Sequence, residues 1–169
     1  MWNQLVTNGD FSNGTTGWSA DGATLSAENG VLTWTATDST PSSNINQAIG
    51  FVNGHKYYIS FLIKGNASNR VSGAFGSASG GGTFSEASYS TSWLRVSRIG
   101  SPTNNSSVNL YIRPNGDGSD NFIAYFKDIH VIDLTLMFGA GNEPSTVAEF
   151  ELWLSQNVGL KSYYPYNKG

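Results

Sequence analysis

Short runs that alternate apolar and polar residues, broken by Gly, Asn and Pro, fill residues 2–131. That two-residue period predicts an all-β body. Residues 30–36 (GVLTWTA) set Val31, Thr33 and Thr35 on one face and Leu32, Trp34 and Ala36 on the other. Residues 57–64 (YYISFLIK) set the wholly apolar Tyr57, Ile59, Phe61 and Ile63 against an amphipathic face of Tyr58, Ser60, Leu62 and Lys64. The first set belongs to a core. Residues 71–76, 93–99, 108–113 and 122–131 supply further strands. Within 108–113, Val108, Leu110 and Ile112 point inward, and Asn109, Tyr111 and Arg113 point the other way. Asn8-Gly9, Asn53-Gly54 and Asn115-Gly116 offer residue pairs suited to tight reversals. The Gly-rich residues 76–82 read as a flexible loop with little side chain to pack. Eight or nine short strands spaced in this way fit a two-sheet antiparallel β-sandwich.

Near the end the period lengthens. Residues 132–138 read as the end of a strand running into a Gly-rich turn, and a helix follows. Thr146 with Glu149 three residues on makes a capping box, with Pro144 just ahead of it. Val147, Phe150, Trp153 and Leu154 form one stripe, and Gly159 lies past the end. A single short helix is marginal alone, so its stripe must bury against the sheets or a neighbouring subunit. The division expected is a sandwich over residues 1–134 and a helix with an aromatic tail, 135–169, packed on it.

Composition narrows the chemistry. Charged residues are 12% of the chain, about half the usual ~25%, so Ser, Thr, Asn and Gly must keep the surface wet. Nine scattered Lys and Arg residues and a net charge of -3 argue against nucleic acid, which needs clustered cations. There is no cysteine, which removes disulfides and thiolate metal sites. The first residues lack the basic stretch and apolar run of a leader, and no apolar run nears the ~20 residues of a spanning helix, so no membrane insertion is expected.

Catalytic signals are weak. His55 lies in a turn and His130 near a strand end, with no nucleophile motif beside either. Glu28, Asp38, Glu86 and Asp117 are carboxylates a glycosidase could use only if two met across a cleft. Asp117 to Asn121 reads as a hairpin turn. Binding signals are stronger. A pyranose has an apolar C–H face, which suits a flat aromatic side chain, and a rim of hydroxyls, which suits directional donors and acceptors. Tyr58, Lys64, Asn109, Tyr111 and Arg113 lie on the amphipathic faces of their strands, and Trp34 suits either a core or a platform. Phe84 and Tyr89 flank the Gly-rich loop as a rim, and Trp153 belongs to the helix stripe.

Two resemblances sharpen this. Asn3, Leu5, Val6, Asn8-Gly9-Asp10-Phe11, Asn13-Gly14 and Gly17-Trp18 are similar to the opening of carbohydrate-binding modules of the family 4/9 type. Val52, Gly54, Lys56-Tyr57, Ile59-Ser60-Phe61 and Lys64-Gly65 resemble that family's central strand. Ser92-Trp93, Arg95-Val96-Ser97, Tyr125, Asp128-Ile129 and Val131 resemble its later ones. The resemblance implies a jelly roll that binds glycans on a concave sheet or at loop tips, with Trp18 and Trp93 in structural positions. It also implies a structural Ca²⁺ held by Gly9, Asp10 and Asp128, although Ser12 stands where the family usually carries an acid. The second resemblance is to a segment of tail and baseplate proteins of bacteriophages infecting Gram-positive bacteria. It rests on Asp133-Leu134-Thr135, the run from Met137 to Pro144, Thr146-Val147, Glu149-Phe150 and the closing Tyr163-Tyr164-Pro165-Tyr166-Asn167. Together they imply a non-catalytic module of a virion tail or baseplate. Its partners would be host cell-surface polysaccharide and other domains of a tail protein. The rivals are a purely structural tail module and a binding appendage of a bacterial glycoside hydrolase.

Overall fold

The computed structural model describes residues 4–75, 82–103 and 109–157. Among the described residues there are ten strands: β1 (Ser19–Asp21), β2 (Ala23–Glu28), β3 (Val31–Ala36), β4 (Asn44–Ala48), β5 (Tyr57–Gly65), β6 (Asn69–Phe75), β7 (Gly82–Tyr89), β8 (Leu94–Gly100), β9 (Asn109–Arg113) and β10 (Ile123–Asp133). They form two antiparallel five-stranded sheets. The front sheet runs β1-β4-β9-β6-β7 and the back sheet β2-β3-β10-β5-β8. Hydrophobic alternation explains why the sheets close on each other. Leu32 and Trp34 from β3, Ile59, Phe61 and Ile63 from β5 and Phe126 from β10 meet Ile45, Val71, Phe75, Leu110 and Ile112 of the front sheet, all without exposure. Phe51 meets Tyr57 of β5 edge-on at 4.8 Å and Phe75 of β6 at 5.7 Å, so one loop ring knits the two sheets. Within the front sheet position 73 must be glycine, because a Cβ there would lie 2.1 Å from the Phe84 ring of β7 and 2.4 Å from the Tyr111 carbonyl oxygen of β9.

The strands missing from the sequence reading have identifiable causes. β4 is NINQA, and four of its five residues are buried, so no two-residue polarity period survives. β1 has three residues and the β2 pattern is mostly Ala, Ser and Thr. Residues 76–81, in the Gly-rich stretch read as a loop, and Val108 lie outside the described residues, and Gly82 already belongs to β7. Asn115 is not a hairpin tip. It is wholly buried, its amide accepts from Asn69 Nδ2 and from Ser119 N and donates to the Ser119 carbonyl, each at 2.9 Å.

A second apolar cluster forms outside the back sheet. The stretch read as a strand end contains a short helix, α1 (Leu134–Phe138), because Asp133 caps it by accepting from Leu136 N at 2.9 Å. The helix expected after it is α2 (Val147–Gln156), with both halves of the Thr146–Glu149 capping box made. Its Phe150 and Leu154 bury against Tyr58, Ile132 and Leu134, with Phe150 4.8 Å from the Tyr58 ring. The helices therefore roof one end of the back sheet's outer face.

Candidate functional site

The outer face of the front sheet is built around its central strand. Alternation in β9 buries Leu110 and Ile112 and turns Asn109, Tyr111 and Arg113 outward, each partly exposed. Pairing sets Asn46 of β4 on one side of Tyr111 and Ala74 of β6 on the other, while Ser72 faces Arg113. Ala74 is wholly buried and Asn46 nearly so, and Tyr111 between them is partly exposed. Asn46 Nδ2 donates to Asn44 Oδ1 at 2.9 Å, and Asn44 Nδ2 donates to the Ser42 carbonyl at 3.1 Å and to Asp21 Oδ2 at 3.4 Å. This chain of amides fixes the orientation of polar groups beside the ring before any ligand arrives.

At the end of the row a depression of about 370 Å³ is lined by Arg113, Asn44, Asp21, Asp38 and Ser43. Ser43 Oγ, at 2.7 Å, and Thr40 N, at 2.9 Å, donate to Asp38 and hold its carboxyl below the usual carboxylate range. On the other flank, Arg70 is pinned between Glu86, at 2.7 Å, and Asp117, at 2.6 Å. The face thus offers one ring surface, guanidinium and amide donors, and carbonyl and carboxylate acceptors. It lies on the opposite side of the sandwich from α1 and α2.

The six sequence candidates do not make one site. Asn109, Tyr111 and Arg113 share the front face, and Lys64 lies on the back sheet. Trp34 is a correction: it is wholly buried between the sheets, in phase with Leu32 and Ala36, so it is core and not platform. Its Nε1 has no hydrogen-bond partner among the described residues. Tyr58 is a second correction, since α2 covers its ring, and its hydroxyl donates to Glu151 Oε1 at 2.9 Å. Phe84 and Tyr89 form no rim; both are buried, and Tyr89 donates to the Pro114 carbonyl at 2.5 Å. Burial pushes the Tyr89 phenol well above its ordinary pKa. Trp18 is core, with Nε1 donating to the Asn8 carbonyl at 3.0 Å. Trp93, expected to be structural, instead lies partly exposed on the back sheet with the Lys64 and Lys127 ammonium groups over its ring. Asn44, Asn46 and Ser72 were missed, although the two-residue spacing of Asn44 and Asn46 would have put both amides on one face.

Two of the three residues of the expected ion site already accept hydrogen bonds. The Gly9 carbonyl accepts from Ile129 N at 2.9 Å, and Asp10 Oδ1 accepts from Ser12 N at 3.2 Å and from Ser12 Oγ at 2.9 Å. Those bonds hold the Asp10 carboxyl below its ordinary pKa. Asp128 sits at φ 50° in the bulge of β10 between Lys127 and His130. No group of three or more His, Asp or Glu side chains that could hold a metal occurs among the described residues, so an ion here would have to draw most of its six to eight oxygens from backbone carbonyls and water.

Both histidines are held by side-chain partners. His55 Nδ1 lies 2.7 Å from Asp133 Oδ2 and ties a turn to the end of β10. His130 Nδ1 lies 2.7 Å from Gln4 Nε2. Burial drives the His130 pKa down, against the pull of Asp128 and Asp10 and with a smaller downward push from Arg95.

Comparison with known proteins adds the following. The profile of a carbohydrate-binding domain family, the 4/9 type, matches residues 3–118. The fold is similar to that of a family 4 carbohydrate-binding module, with a TM-score of 0.60 and 18% identity over 76% of this chain and 99% of that one. It is also similar to the CBM22-1 xylan-binding domain of Paenibacillus barcinonensis Xyn10C, with a TM-score of 0.58 and 13% identity over 78% and 95% of the two chains. A third likeness is to the CBM22-1–GH10 modules of a Clostridium thermocellum endo-1,4-β-D-xylanase 10B complexed with xylohexaose. Its TM-score is 0.56 and its identity 17%, over 79% of this chain and 29% of that one. No curated protein matches the chain.

Proposed function

The chain belongs to the 4/9-type carbohydrate-binding domain family, and on that premise we propose that its front face holds a cell-surface saccharide without cleaving it. The observation that carries this reading is the outward, partly exposed position of Tyr111 and Arg113 on the central strand, with the amides of Asn44 and Asn46 fixed beside them. A sugar ring lies on Tyr111, and its hydroxyls meet the amides, Arg113 and Asp21. Sugar binding needs both donors and acceptors, and this face has both. Because the surface is shallow, a single copy binds weakly, and several copies on one particle raise avidity through effective concentration.

The further proposal is that the particle is a bacteriophage tail or baseplate and that the saccharide belongs to the wall of a Gram-positive host. Support comes from the residues of α1, α2 and the stretch between them, which carry the tail-protein resemblance. The closing aromatic run, 163–167, lies outside the described residues. The alternative, an appendage of a glycoside hydrolase, draws support from the likeness to modules joined to a xylanase. A fluorescently labelled copy of the chain tested on Gram-positive cell walls and on insoluble xylan separates the two. Decoration of walls, lost in Tyr111→Ala and Arg113→Ala, is the expected outcome. Retention by xylan alone would favour the enzyme appendage, and binding to neither would remove the saccharide reading.

A further inference from the structure

The unroofed half of the back sheet carries an arrangement that the Tyr111 face does not use. Cross-strand pairing sets Thr33 beside Tyr125 and Tyr125 beside Lys64. Trp93 immediately precedes β8 and closes this row. Lys64 Nζ lies 5.0 Å from the Trp93 ring centre and 5.2 Å from that of Tyr125. Lys127 follows Tyr125 by two residues on the same face, and its Nζ lies 4.9 Å from the same indole. Pairing of Lys127 with Leu62 and of Leu62 with Arg95 puts a third cation on the next row. Three of the nine Lys and Arg residues therefore gather on half of one sheet in a chain whose net charge is -3.

Aromatic rings, not carboxylates, hold the two ammonium groups. Among the described residues, no carboxylate lies within ion-pair distance of Lys64 or Lys127. Two like charges on one indole repel each other, and the attraction of each to the ring is modest. An anion between them would relieve that repulsion and gain charge-assisted hydrogen bonds. The adjoining depression, of about 610 Å³, has Glu28 as its one carboxylate, and its floor carries Tyr125, Thr33 and Ser26. An aromatic floor under a pair of cations is suited to a sugar bearing a negative group.

We propose that this half of the back sheet is a second binding surface, taking an anionic glycopolymer whose carboxylate or phosphodiester group sits between Lys64 and Lys127. The choice of a glycan over other anions rests on the family reading above; the anion site itself does not. The test is calorimetric titration of the full chain with oligogalacturonate and with poly(glycerol phosphate), which separate the two sources of charge, at low and high salt. Wild type and Tyr111→Ala should bind at least one polymer. K64Q/K127Q, shown folded by circular dichroism, should lose about tenfold or more in affinity, the value of roughly one charge-assisted contact. High salt should weaken binding in wild type. Failure of both polymers to bind wild type, or equal affinity in K64Q/K127Q, would overturn the proposal, as would loss in Tyr111→Ala. Failure of the Tyr111 reading would look different: neutral wall glycans would bind no variant while the acidic polymer still did.

Discussion

The outer faces of the two sheets are made by the same two-residue alternation and end in different chemistry. The front face leaves Asn109, Tyr111 and Arg113 partly exposed, with amides locked beside them. The back face divides: one half is sealed by α2 over Tyr58, and the other carries Lys64 and Lys127 on Trp93. What differs is not the strands but what the chain adds after β10. A helix whose apolar stripe cannot stand in water converts an amphipathic strand face into a core. The position of Tyr58 in its strand resembled that of Tyr111 in its own; a segment some ninety residues later decided their fates.

If the two faces are independent, breaking the roof should cost stability and leave sugar binding alone. Phe150→Ala removes a wholly buried ring seated on Tyr58. It should cost about 3–5 kcal/mol in denaturant unfolding, with saccharide affinity of the folded fraction unchanged. Asn115→Ala acts nearer the front face, at the end of β9. It strips a buried hub and leaves Asn69 unsatisfied, at a cost of about 1–3 kcal/mol measured the same way. Thr146→Ala deletes one half of the α2 capping box and should cost about 1 kcal/mol.

Acidification probes the junction of the first loop with β10. The His130 pKa lies below its ordinary 6.5, chiefly because the ring is buried. The unfolded chain therefore binds more protons than the native one as pH falls below that value. Stability is fully present above pH 6.5 and declines toward the depressed native pKa; melting temperature followed from neutral to mildly acid pH should show it. His130→Gln should flatten that part of the profile. The smallest effect concerns the ion. Because Ser12 already satisfies Asp10, a chelator should leave the melting temperature where it was, and a drop of several degrees would show that a bound cation stabilises the fold.

Much of the frame was legible because core strands obey a simple rule. Tyr57, Ile59, Phe61 and Ile63 were assigned to the core by phase alone, and they lie there. Thr146 and Glu149 announced α2, since capping chemistry is local. β4 escaped because its Asn and Gln residues are buried in a polar row, so hydropathy carries no period there. α1 escaped because its signal is a single cap, Asp133, at the end of a strand. For the site, phase alone turned Asn109, Tyr111 and Arg113 outward but could not say which outward faces a later element would cover. Trp34, which suited a core or a platform, is in phase with Leu32 and Ala36 and is buried with them. Trp93, assigned to a structural position by resemblance, is in phase with Arg95 while Val96 turns inward, and it lies partly exposed.

The account depends on the front face being where sugar sits. Side-chain amide and aromatic resonances of isotope-labelled protein, followed during titration with a neutral glycan from a wall that the protein decorates, test this directly. Asn44, Asn46, Asn109 and Tyr111 should shift together and saturate, with Trp93 and Tyr125 unmoved. Saturable shifts confined to Trp93, Tyr125 and their neighbours, with Tyr111 silent, would contradict it.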